Sequence, residues 1–136
     1  MALLAPPDHA DEYFSLVDLY AIKGQGIADY KKLLRQSDEQ LKQAFYQRHI
    51  ISRLVKTRAW IIEQLIVELW QRNGLDQTQL SLVAVGGFGR GDLQPHSDVD
   101  LLILYHKNLP ESAVSAFVQN LWDLGLDVGQ AVRTVE

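Results

Sequence analysis

Val83-Ala84-Val85-Gly86-Gly87-Phe88-Gly89-Arg90-Gly91-Asp92-Leu93-Gln94-Pro95-His96-Ser97-Asp98-Val99-Asp100-Leu101-Leu102-Ile103-Leu104 reads as a strand, a glycine-rich turn, a short loop and a second strand headed by two carboxylates. Side chains at i and i+2 of a strand share a face. Asp98 and Asp100 are therefore predicted to project together, with Val99 and Leu101 turned to the core. Two adjacent acids repel unless a cation lies between them, and hard oxygen donors at this spacing suit Mg²⁺. The glycine pair lets a backbone approach a phosphate closely, and Arg90 offers a fork of donors. A metal-binding acid pair beside a phosphate cradle is the equipment of phosphoryl or nucleotidyl transfer.

Each piece has a plainer reading on its own. Gly86-Gly87 could be a tight turn, and Ser97 either caps the loop or bonds a phosphate. His96 has no partner at ligand spacing, and Asp92 is better placed to orient Arg90 or the backbone than to bind metal. What favours a metal is that Asp100 runs directly into Leu101-Leu102-Ile103-Leu104, where burying acids is costly without compensation. No Gly-Lys-Ser/Thr follows the glycines, which excludes a Walker loop. A strand rather than a helix is predicted after them, which argues against a dinucleotide fingerprint.

Outward from this stretch, residues 76–136 read as one core. Leu80 to Val85 and Ser97 to Tyr105 are predicted strands, able to pair antiparallel. Pro110 to Leu124 is a predicted helix with Val114, Phe117, Leu121 and Leu124 on its inner face, ended by Gly125. Leu126 to Val135 is a third strand. Residues 13–75 read as a helical region: a short turn before Tyr20, a helix from Ile27 to Arg35, then a long helix capped at Ser37-Asp38. The long helix is predicted to run to Asn73-Gly74, about 35 residues and about 50 Å. Arg48, His49, Arg53, Lys56 and Arg58 give it a basic bias, read as a solvated face or as cations that reach a triphosphate or partner. Residues 1–12, with Pro6 and Pro7, read as a flexible arm.

Composition sets the outer bounds. With 136 residues the chain is long enough for one domain with a core. The 47% hydrophobic and 22% charged content is that of a globular protein. A net charge of -4 lacks the basic footprint of a nucleic-acid binder. The absence of cysteine removes disulfides, thiolate metal sites and thiol catalysis from this segment. Neither a bilayer-spanning run nor a signal-peptide pattern is present, so a cytoplasmic location is expected. A domain seldom stops in mid-strand. The chain is therefore expected to be the N-terminal piece of a longer protein, its core truncated at the C-terminal end.

The glycine pair followed by an Asp-x-Asp on the next strand resembles the nucleotidyltransferase superfamily of the DNA polymerase β type. Within it, residues 86–102 resemble the bacterial PII uridylyltransferase/uridylyl-removing family, as do Leu54-Val55-Lys56-Thr57-Arg58-Ala59 and Gly125-Leu126-Asp127-Val128-Gly129-Gln130-Ala131-Val132-Arg133-Thr134. The resemblance implies an α+β fold: a polymerase-β-like core with a short mixed sheet and flanking helices, preceded here by the long helix. It implies transfer of UMP from UTP to a tyrosine of the PII signal-transduction protein in nitrogen regulation. In that family a separate hydrolase domain removes the UMP and C-terminal domains sense glutamine; neither is present here. By position, Asp98 and Asp100 would hold Mg²⁺, Gly86, Gly87 and Ser97 would seat phosphates, and Arg90 would steady pyrophosphate. The superfamily's third carboxylate has only Asp127 and Glu136 as candidates, neither predicted mid-strand. This chain alone is accordingly expected to bind Mg-UTP weakly and turn over poorly. The alternatives are an ATP-using enzyme like glutamine synthetase adenylyltransferase, or a non-catalytic regulatory or assembly module of the same fold.

Overall fold

Alternation along Val99–Tyr105 governs the architecture. Val99, Leu101 and Ile103 are buried while Asp100, Leu102 and Leu104 are half-buried, the signature of a strand with one face on a core. A computed structural model of the chain describes residues 5–47, 51–91 and 98–135. In it this strand, β2, is the centre of a three-stranded sheet ordered β1-β2-β3, where β1 is Ser81–Val85 and β3 is Val128–Thr134. β1 runs antiparallel to β2 and β3 runs parallel to it, so the sheet is mixed. The predicted strands and their antiparallel start are found where the sequence placed them.

The helices before the sheet are α1 (Leu16–Ala21), α2 (Ile27–Tyr46) and α3 (Ile51–Arg72). Ser15 caps α1 by accepting the Asp18 amide at 3.2 Å. Residues read as an N-terminal arm include a 3-10 turn at Ala10–Glu12, with Ala10 buried. A single helical turn, α4 (Gly86–Gly89), follows β1, and α5 (Glu111–Asp123) connects β2 to β3.

The long helix is corrected. In place of one helix from Ser37 to Asn73 there are two, with α2 ending at Tyr46 and α3 folding back along it. Arg58 Nε donates to Asp38 Oδ1 at 3.2 Å, and Arg72 donates to the Gln25 carbonyl, so residue numbers fall on one helix as they rise on the other. Ser37 is no cap: it lies inside α2, buried, its hydroxyl donating to the Leu33 carbonyl at 3.1 Å. One straight helix would leave its apolar stripe without a partner. Folding back buries Leu33, Leu34 and Leu41 of α2 and Leu54, Ile61 and Leu65 of α3.

The helices close one face of the sheet. Trp70 of α3 meets Phe117 of α5 edge to face, ring centroids 5.1 Å apart, and Asn73 Nδ2 donates to Asn120 Oδ1 at 2.9 Å. Phe14 packs edge-on against Trp60 at 5.8 Å, docking the N-terminal segment. Leu82, Phe88, Leu121 and Leu124 complete this core. No helix among the described residues is long and apolar enough to cross a membrane.

Candidate active site

Register decides the site. Asp100 of β2 pairs with Val85, the last residue of β1, and with Gly129, the second residue of β3. Its carboxylate therefore stands between the ends of both neighbours. A Cβ on Gly86 would lie 3.2 Å from Asp100 Oδ2, and one on Gly129 would lie 2.5 Å from Oδ1. Glycine at both positions is what makes room for this acid. Gly86 also has φ +63°, a left-handed conformation that residues with a Cβ adopt at a cost.

Asp98 lies just ahead of β2 and is exposed. It borders an open cleft of about 310 Å³, lined also by Trp122, Leu126, Asp127, Val128 and Gly129. The cleft thus lies on the β3 side of Asp100, and the glycine turn on the β1 side. The Val99 amide donates to the Asp127 carbonyl at 2.8 Å, which ties the heads of β2 and β3 together. Val99 aligns with Val128 and Asp100 with Gly129, so Asp98-Val99-Asp100 lies beside Asp127-Val128-Gly129. Aligned residues of parallel neighbours share a face.

Two glycines set the edges of the site. Directly after β1 the glycine-rich turn read from the sequence takes the form of the single helical turn α4. The first amides of a helix have no intrahelical acceptor, so those of Gly86 and Gly87 are suited to an anion. Arg90 follows this turn, its amide bonded to the Gly86 and Gly87 carbonyls at 3.2 Å and its side chain exposed. On the other side, α5 ends in a Schellman motif. Gly125, at φ +88°, donates to the Trp122 carbonyl at 2.8 Å, and Leu126 donates to the Leu121 carbonyl at 3.3 Å. Leu121 and Leu126 are both buried at that corner, which aims the chain at Asp127.

The structure thus brings Asp98, Asp100, Gly86 and Gly87 to one end of the sheet, with Arg90 just beyond the glycine turn. Ser97, Asp92 and His96 lie outside the described residues. Among the basic residues of the helical region, Arg58 is committed to Asp38, while Arg48 and His49 lie outside the described residues. Gly129 and Trp122 were not singled out from the sequence, and Asp127 entered only as a candidate third carboxylate; it lies just ahead of β3 rather than mid-strand. The echo of Asp98-Val99-Asp100 in Asp127-Val128-Gly129 was the available signal, readable only once β3 is known to pair with β2 in this register.

Among the described residues no set of three acids or histidines is gathered closely enough to hold a metal by itself. A carboxylate pair fits Mg²⁺ in a different manner, since that ion is commonly held by one or two carboxylates and completed by substrate phosphates and water. Asp100 in its glycine cradle, with Asp98 at the open cleft, supplies that donor chemistry.

A helix-backed mixed sheet with an acid pair at the head of its middle strand and a glycine turn at the preceding strand's end defines a nucleotide-transfer fold. The nucleotidyltransferase domain family matches residues 62–134, from mid-α3 to the end of β3, and the chain belongs to that family. Over 119 residues it is 45% identical to the bifunctional uridylyltransferase/uridylyl-removing enzyme of Stutzerimonas stutzeri. It is 46% identical over 120 residues to the protein of that name in Pseudomonas aeruginosa, and 44% over 120 residues to that of Pseudomonas putida. Each match covers 85% of this chain but only 13% of the relative's length. No solved structure matches the chain significantly.

Proposed function

We propose that this chain carries the donor-nucleotide site of a uridylyltransferase, which moves UMP from UTP to a tyrosine hydroxyl of a PII signal-transduction protein with Mg²⁺ as cofactor. The observation that carries the reading is the seat of Asp100 between Gly86 and Gly129, with Asp98 two residues earlier, just ahead of the strand. The names of the relatives favour UTP over ATP as donor.

In this reading Asp98 and Asp100 would hold the metal ion. The amides of Gly86 and Gly87 take the phosphates next to them, and Arg90 steadies the departing pyrophosphate. Bound Mg²⁺ would offset charge on the triphosphate and brace the α-phosphate. The tyrosine oxygen forms a bond to the α-phosphorus as the bond to the β-phosphate's bridging oxygen breaks and pyrophosphate leaves. Asp127, which lines the cleft together with Asp98, would take the phenol proton. Glutamine control and removal of UMP would belong to parts of the longer protein.

The test is transfer of label from [α-³²P]UTP to purified PII protein by the longer protein carrying this segment. Labelling should require Mg²⁺, exceed that from ATP, and fall by at least about 10²-fold in Asp98→Asn and Asp100→Asn. Labelling that survives both replacements contradicts the reading.

A further inference from the structure

Trp122 is a large apolar side chain left half exposed, at 50%, whereas Trp60 and Trp70 are buried at 4% and 9%. It stands in the last turn of α5, where the Schellman motif fixes its carbonyl, and it borders the cleft that holds Asp98 and Asp127. That cleft has two characters. Trp122, Leu126 and Val128 give it an apolar wall, and Asp98 and Asp127 give it acceptors for a hydrogen bond.

Its position relative to the donor site gives it a role. In an in-line displacement the attacking and leaving oxygens lie on opposite sides of the phosphorus. The glycine turn that would hold the leaving phosphates is at the β1 side of Asp100, and the Trp122 cleft is at the β3 side. The nucleophile therefore arrives through the cleft. A hydroxyl borne on an aromatic ring matches both halves of the lining: ring against the indole, hydroxyl toward the carboxylates.

Resting on the donor-site reading above, we propose that Trp122 is the binding residue for the acceptor. It stacks on the acceptor's phenol ring and presents the hydroxyl to Asp98 and Asp127. The nucleobase of the donor does not use it.

The test is NMR titration of the ¹⁵N-labelled chain, in which Trp122→Phe identifies the Trp122 indole signal among the three. N-acetyltyrosinamide should move the Trp122 indole signal and the Val128 and Gly129 amides while those of Trp60 and Trp70 stay. N-acetylphenylalaninamide, without the hydroxyl, should bind about tenfold more weakly. Trp122→Ala should weaken the tyrosine mimic about five- to tenfold, and Trp122→Phe by no more than about twofold. Mg-UTP, followed at the Gly86 and Gly87 amides, should bind Trp122→Ala as it binds the parent. Cleft amides that ignore the tyrosine mimic overturn the proposal, and so does a loss of Mg-UTP affinity in Trp122→Ala as large as the loss of mimic affinity. The donor reading fails separately, if Mg-UTP leaves Gly86 and Gly87 unmoved or binds Asp100→Asn unchanged.

Discussion

Asp100 and Gly129 face each other across the β2–β3 pairing, and Asp100 Oδ1 lies 2.5 Å from where a Cβ on residue 129 would stand. The only obstacle to a methyl group there is the end of one side chain, which can rotate. Gly129→Ala should therefore leave the fold intact, with unfolding free energy within about 1 kcal/mol of the parent. It should still displace the carboxylate and weaken Mg-UTP binding by at least about tenfold. Urea denaturation and a nucleotide titration on the same sample check the two halves. Equal binding in both proteins would show that the carboxylate's seat is unimportant.

Gly89 presents the opposite case. A Cβ there would lie 2.6 Å from the Ala84 carbonyl oxygen and 3.0 Å from its carbon, and backbone cannot swing aside. Gly89→Ala should cost about 1–3 kcal/mol, read from urea denaturation, and disturb the glycine turn with it. The contrast between residues 129 and 89 separates a glycine kept for the site from one kept for the chain path.

Much of this was legible in the sequence, for physical reasons that differ by element. Short β-branched and apolar runs located β1, β2 and β3, and the period of Val114, Phe117, Leu121 and Leu124 located α5. Asp98 and Asp100 stood out because acids at the head of an apolar strand are costly. The α2–α3 fold-back was missed because no Gly or Pro marks it, and because a stripe that suits one long helix also suits two packed together. That Gly129 lies against Asp100 was not legible because it depends on a parallel pairing across the whole of α5, which no local pattern encodes.

Tyr30 has a fully buried ring, with the Arg72 guanidinium 5.8 Å from its centroid, yet its hydroxyl has no hydrogen-bond partner among the described residues. An unpartnered buried hydroxyl costs stability, and phenylalanine keeps the ring. Tyr30→Phe should be neutral or stabilising by up to about 1 kcal/mol, seen as an unchanged or higher urea midpoint. A loss beyond about 1 kcal/mol would mean that the hydroxyl has a partner.

Phe117 joins the helical hairpin to the sheet layer through its edge-to-face contact with Trp70, and it is fully buried. Phe117→Ala should cost about 3–5 kcal/mol. Because Trp70 is beside it, tryptophan emission should shift to the red in the folded variant. An unshifted spectrum would place the two rings apart.

The proposed function stands or falls on whether the acid pair at the head of β2 binds nucleotide through a divalent ion. Titration of the chain with UTP, with Mg²⁺ and then with the metal chelated, tests it most directly in the parent, Asp98→Asn and Asp100→Asn. Binding should be weak, require Mg²⁺ and fall by at least about tenfold in each variant, while thermal unfolding stays near that of the parent. UTP affinity that is indifferent to chelation and equal in all three proteins would contradict it.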